Sequence, residues 1–313
     1  MKAVTVRLQK TSASDDGDRR TAATIGRRAR LDLVFGYRRG RTVLTHAYAE
    51  PPFRIGRSLD AGPYAYVILA CTGPGVFPGD SLHTHVRVER GARVLLASQA
   101  ATQVHPATVR LKPDTTFENA TYGNATYGNT TGGNDSLAVL RSEYDVEEDA
   151  ELDCQWDPVI PFAGARLMQR IDLQIASRSR LFWSDALMSG RLGRGEAWRF
   201  DQLRHELRLA VDGSLTYLER YRLTPTSQSV TRPWIAGSAH YLGTTIVHHE
   251  DATAARAEKL QQQLDAVRDV RAGVDCLAPH LLVSRLLATR GPQFAAARAA
   301  LRQTFVRPTM RRG

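Results

Sequence analysis

The sequence predicts a mainly β chain of the α+β class, and three observations carry that prediction. Apolar residues alternate with polar ones through much of Arg30 to Leu223, the period expected of strands with one buried face. Gly- and Asp-containing pairs punctuate the alternation as turns do. Runs of helix-forming residues without Gly or Pro are concentrated near the C-terminus.

In chain order, the first 28 residues are polar and read as a loosely held tail. Leu31, Leu33 and Phe35 then share one face of a strand, and Gly36 to Gly40 supply a turn before Thr42 to Thr45. Leu82, Thr84, Val86 and Val88 form one face of a further strand, with His83, His85, Arg87 and Glu89 on the other. Gly91-Ala92 ends it, and Val94-Leu95-Leu96 follows. Asn119 to Asn134 reads NATYG-NATYG-NTTGG-N, too polar to bury and too short in period for a solenoid repeat, hence a flexible surface insertion. Leu207, Leu209 and Val211 lead into Asp212-Gly213, then Leu215, Tyr217, Tyr221 and Leu223, a hairpin pattern. Helices are expected over Ala252 to Arg271 and Gln293 to Phe305. The expectation is one domain over 29–306 with an insertion at 119–134, between a tail at 1–28 and a basic tail at 307–313.

Of the 313 residues, 42% are hydrophobic, enough for a globular core. The longest apolar run, Tyr64 to Cys71, falls far short of the roughly 20 residues of a membrane helix. Met1 to Asp18 has no apolar core, so no secretory signal is expected and the N-x-T sequons carry little meaning. Cys71, Cys154 and Cys276 form no CxxC pair, which suggests a soluble, cytoplasmic protein in a reducing compartment. The net charge is +10, with arginine clusters at Arg19-Arg20, Arg27-Arg28, Arg38-Arg39-Arg41 and Arg311-Arg312. A guanidinium fork binds carboxylate and phosphate alike, so these clusters suit an acidic protein or a nucleic acid. A basic, β-rich nucleic-acid-binding protein is therefore the alternative. It is weakened because aromatics are not interleaved with the clusters as a stacking platform requires.

Missing motifs argue against catalysis. There is no G-x-x-x-x-G-K-[ST] phosphate loop, no G-x-G-x-x-G and no H-E-x-x-H; His248-His249-Glu250 lacks the second His. Ser58 in Gly56-Arg57-Ser58-Leu59-Asp60 departs from the nucleophile elbow at its last position.

Four blocks resemble one known family. Gly73 to His105 carries Gly79-Asp80, Gly91-Ala92 and Gln99-Ala100-Ala101-Thr102; Glu151 to Gln169 carries Asp157-Pro158-x-x-Pro161-Phe162 and Ala163-Gly164-Ala165-Arg166. Trp183-Ser184-Asp185 with Gly190 to Glu196, and Leu282 to Phe305, complete the set. In order and spacing these resemble the UreD (UreD/UreH) family of urease accessory proteins. Gln103 stands where many members have Lys, and Gln155-Trp156 replaces Leu-Pro.

The resemblance implies β-helix-like stacked sheets with a few C-terminal helices, and a non-enzymatic chaperone in a maturation complex. The implied partners are the urease apoenzyme, a UreF-type helper and a UreG-type GTPase, with no membrane and no nucleic acid. It also implies an internal route for nickel in transit, with no tightly bound cofactor. A route must attract the ion yet release it, so scattered carboxylates suit it better than a closed cage. Candidate lining residues are Asp80, Glu151, Asp157, Asp185 and Glu196. Four of the five have a plainer reading: Asp80 shapes a turn, Asp157 caps one beside Pro158, Glu151 is solvated, and Glu196 pairs with Arg191 or Arg194. The seven acidic residues among the eleven from Glu143 to Asp153 read as a solvated face or a docking site for cations or a basic partner.

Overall fold

A computed structural model of the protein describes residues 26–57, 59–62, 64–106 and 137–306. The expected tail up to residue 25, the insertion at 119–134 and the tail at 307–313 lie outside the described residues. The predicted mainly β architecture is found, as two stacked sheets whose strands are numbered here in chain order.

The first sheet is built on parallel strands β1 (Arg28–Arg38), β6 (Ser81–Val88), β9 (Ala138–Val146), β12 (Arg166–Ile175) and β14 (Gln202–Val211). The second is built on parallel strands β5 (Tyr64–Cys71), β7 (Arg93–Ser98), β10 (Glu151–Gln155) and β13 (Arg180–Met188). From β6 to β14 the chain passes from sheet to sheet, and each return lays a strand beside its predecessor, a β-helix-like winding. Antiparallel strands close the ends. In the first sheet these are β2 (Arg41–Ala49) and β15 (Ser214–Leu223). In the second they are β3 (Phe53–Ile55) and β4 (Leu59–Ala61) at one end, and β16 (Tyr241–His248), β18 (Leu281–Ala288) and β17 (Val270–Ala278) at the other. Short strands β8 (Thr102–Val104) and β11 (Val159–Pro161) pair at a corner of the coils.

The strand period of two determines what fills the space between the sheets. Leu31, Leu33 and Phe35 of β1, Val86 and Val88 of β6, Ile171 and Leu173 of β12, and Leu207 and Leu209 of β14 meet Val94, Leu152, Leu181 and Trp183 from the second sheet. The outer face of the second sheet is covered by helices α1 (Ala254–Asp265) and α2 (Gly291–Phe305), which bury Leu260, Leu264, Phe294 and Leu301 against Phe182, Val247 and Leu282. The outer face of the first sheet carries charge pairs of alternating sign instead, among them Arg30–Asp32 at 2.5 Å, Arg170–Asp172 at 2.8 Å and Arg220–Glu206 at 2.8 Å.

Three boundaries differ from expectation. Gly36 to Arg38 continue β1, and the turn is confined to Arg39-Gly40, both at positive φ. Asp212-Gly213 forms the expected hairpin turn, with φ of +48° and +77°, but a register shift between Leu209 and Ala210 leaves Leu215 exposed. The helix expected over Ala252 to Arg271 ends at Asp265, because Val270 and Arg271 are taken into β17, where pairing with β18 outweighs local propensity. Its start is fixed by Thr253, whose side chain accepts the Arg256 N–H at 3.2 Å. α1 thus precedes β17 and β18, whereas α2 follows all the strands. No helix among the described residues is long and apolar enough to cross a membrane.

Candidate functional site

Winding brings distant motif blocks together. β8, which begins at Thr102 of the Gln-Ala-Ala-Thr block, runs parallel to β11 in the Asp-Pro-x-x-Pro-Phe block, and Val76 bridges Val104. Along this corner Phe77 stacks on His105 at 4.4 Å, His105 meets Phe162 edge-on at 4.7 Å, and the Arg191 guanidinium lies 3.9 Å from the Phe162 ring. Three of the four blocks therefore meet in one column. Gly190, at φ +139°, is required there, since a Cβ would lie 2.3 Å from the Glu196 carbonyl oxygen.

Inside the coils a cavity of about 150 Å³ opens between the sheets. Its walls are largely apolar, with Leu31, Ile171, Trp156 and Trp183 among them, but Asp157 and Asp185 both line it, together with Ser142 and Gln169. Asp157 sits where β10 bends into β11. It accepts from the Ser98 hydroxyl at 2.8 Å, and its N–H donates back to that oxygen at 2.7 Å. Asp185 is buried on the inner face of β13, between Trp183 and Leu187.

Asp185 faces a set of polar groups that sequence reasoning did not single out. His205 of β14 is 3% exposed, and its Nε2 lies 3.9 Å from Asp185 Oδ2 with no hydrogen-bond partner among the described residues. Its Nδ1 is 3.3 Å from Gln169 Oε1, and its ring stacks on Tyr221 at 4.7 Å. Glu219 of β15 is also buried, accepting from Thr244 Oγ1 and from the Tyr217 hydroxyl at 2.9 Å each. Arg285 of β18 approaches Glu219 at 3.6 Å and leaves most of its side chain in solvent. A polar stripe thus crosses the interior from the cavity to the flank of the stack. Burial pushes the Asp185 carboxyl above its ordinary value; Glu219 adds to the rise, and His205, Arg298 and the Thr244 N–H oppose it. Burial likewise pushes the Tyr217 hydroxyl up to about 12.

From the outer side, α2 clamps the same walls. Arg298, 5% exposed, donates to the Trp156 carbonyl at 2.8 Å, and to the Ser184 hydroxyl and carbonyl at 2.9 Å each. Those residues immediately precede Asp157 and Asp185. Burial lowers the Arg298 guanidinium to about 10, with both carboxylates pulling it back up.

The other candidates lie outside this lining. Asp80 accepts the backbone N–H groups of Arg27 at 2.6 Å and Phe77 at 2.9 Å, the turn-shaping role. Glu151 accepts the Tyr64 hydroxyl at 2.5 Å, beside Arg93. Glu196 pairs with Arg191, whose Nε donates at 2.7 Å, and that guanidinium holds the carboxyl below its ordinary value. The acidic run is matched by donors along its length. Glu143 faces His83, Asp145 faces His85, Glu147 faces Arg87, Glu148 and Asp149 share Arg178, and Asp153 takes Arg302. Among the described residues, no group of three or more His, Cys, Asp or Glu side chains is arranged to hold a metal ion.

Comparison with known proteins adds the family. Residues 27–312 match the family model described as UreD urease accessory protein. The UreD of Delftia acidovorans is 30% identical over 311 residues, 92% of each chain. That of Anaeromyxobacter sp. is 29% identical over 265 residues, 84% of this chain and 80% of the relative. The UreD of Sorangium cellulosum is 33% identical over 204 residues, which span 65% of this chain and 57% of that relative. With a family model covering nearly its whole length and a fold of stacked β coils, the chain belongs to the UreD family of urease accessory proteins.

Proposed function

We propose that this chain is a non-catalytic chaperone of urease maturation, working in the cytoplasm. In this reading it docks the urease apoenzyme together with UreF- and UreG-type partners, and its interior gives nickel a path toward the urease active site. The observation that carries the path is the facing pair of Asp185 and His205, both buried, at the edge of a cavity that Asp157 also lines. An imidazole nitrogen without a hydrogen-bond partner, opposite a carboxylate, offers two donors that borderline Ni²⁺ accepts. Two donors attract a cation without completing its coordination, which suits passage rather than storage. The proposed path is drawn through Asp157, Asp185 and His205, because Asp80, Glu151 and Glu196 do not line this cavity.

The test is co-expression of the full chain with urease subunits and both helpers. The wild-type chain is expected to co-purify with apo-urease, and His205→Gln to assemble equally while lowering nickel per urease several-fold. Normal nickel in that variant would remove the path from the proposal. Failure of the wild-type chain to associate would remove the maturation role itself.

A further inference from the structure

The segment between β15 and β16 presents an exposed tip on a fixed base. Residues 231–235 are all exposed, whereas Val230 and Ala236 on either side are buried. The Ala236 N–H donates to the Val230 carbonyl at 3.0 Å, and the Ile235 and Gly237 N–H groups donate to the Arg232 carbonyl at 2.9 and 3.0 Å. Arg271 of β17 reaches across to donate to the carbonyls of Pro233 at 2.9 Å and Ala236 at 2.8 Å. Below the tip, the Trp198 indole N–H donates to the Ala239 carbonyl at 3.3 Å. The turn is held in one shape before anything binds it.

On this turn Trp234 is 75% exposed, more than any other large hydrophobic residue described, and Ile235 beside it is 42% exposed. The Arg232 guanidinium lies 5.4 Å from the Trp234 ring. From Arg220 to His249 the chain carries no Asp or Glu, and Arg222 and Arg232 are both exposed. Folding gains nothing from an indole in water, where burial of a large apolar side chain is worth about 2 kcal/mol. A pre-formed aromatic with an adjacent arginine is the composition of an interface anchor, and pre-organisation lowers the entropy lost on binding.

We propose that the 231–235 tip is the anchor by which this chain docks a folded protein partner, one whose surface offers an apolar pocket rimmed by carboxylates. Trp234 and Ile235 fill the pocket; Arg232 meets the rim. A single indole provides no stacking platform for a nucleic-acid strand, and the tip lacks the basic cluster that anionic lipid requires. The proposal rests on the reading that this chain docks urease and its helpers, which supply the probes.

The experiment uses the full chain, co-expressed with urease subunits and both helpers, as wild type, W234A and R232E. Trp234 to Ala is expected to weaken the recovered complex at least tenfold, and R232E to weaken it in a manner that low salt accentuates. Circular dichroism and urea midpoints should be unchanged for W234A. Equal affinity of W234A and wild type overturns the anchor and leaves the maturation role standing. A wild-type chain that captures none of these proteins overturns both. Wild-type retention on DNA or on phosphatidylserine vesicles that W234A loses assigns the tip to a different partner and overturns the proposal.

Discussion

Ser98 and Asp157, on neighbouring coils, exchange two hydrogen bonds through one serine oxygen. The pair holds the cavity-lining carboxylate against the bend between β10 and β11, where Pro158 has no N–H to help. Asp157 therefore braces the bend and also lines the cavity. Asp157→Ala is expected to lower nickel in urease matured in cells while complex assembly persists. Ser98→Ala is the control, because it removes the brace and keeps the carboxylate. If Ser98→Ala reproduces the whole nickel deficit, shape alone explains the residue.

Asp185 should cost the fold stability at neutral pH. Its carboxyl is raised by burial, so between its ordinary and raised values the folded chain binds more protons than the unfolded one, and stability falls as pH rises through that window. Asp185→Asn removes this pH dependence. Urea midpoints should show the variant gaining on wild type from acid to neutral pH. A variant that loses ground over that range would mean the carboxylate is structurally required.

Arg298 ties the helical layer to the cavity wall. Arg298→Met leaves the Trp156 and Ser184 carbonyls without this donor, and a loss of about 3 kcal/mol is expected from equilibrium urea unfolding. A loss below about 1 kcal/mol would show that other donors replace it.

His248 sets an acid limit. Its Nδ1–H donates to the Ser179 carbonyl at 2.9 Å, and burial pushes the imidazole below its ordinary value. The folded chain thus holds fewer protons there, so this contribution is complete above the ordinary value of about 6.5 and is lost as pH falls below it. His248→Gln should flatten the decline in urea midpoint between neutral pH and mildly acid solution. An unchanged slope would assign the acid sensitivity elsewhere.

Much of the fold was legible because strand alternation is a local signal. β1, β6, β14 and β15 follow it, and Asp212-Gly213 marks its hairpin. The stacking order was not legible, since no local pattern says that β8 lies beside β11. Of the site, Asp157 and Asp185 were found through motif blocks, whereas His205, Glu219 and Gln169 were missed. A signal for them did exist. Each is one polar residue in an otherwise apolar phase: Gln169 between Leu167 and Ile171, His205 between Leu203 and Leu207, Glu219 between Tyr217 and Tyr221. The acidic run, prominent in sequence, is balanced in space by residues such as Arg87, Arg178 and Arg302, a pairing no local pattern shows.

The antiparallel strands that close both sheets have a consequence for how the protein can vary. A stack of parallel coils has no natural length, and an uncapped end is a template for the next molecule. With β2 and β15 turned back on the first sheet, and β17 ending the second, the coil number is fixed and growth is blocked. Loops at coil corners can lengthen without disturbing neighbours. Truncation inside the β14–β15 hairpin, by contrast, would expose a long edge of the parallel strands, a template for fibre growth.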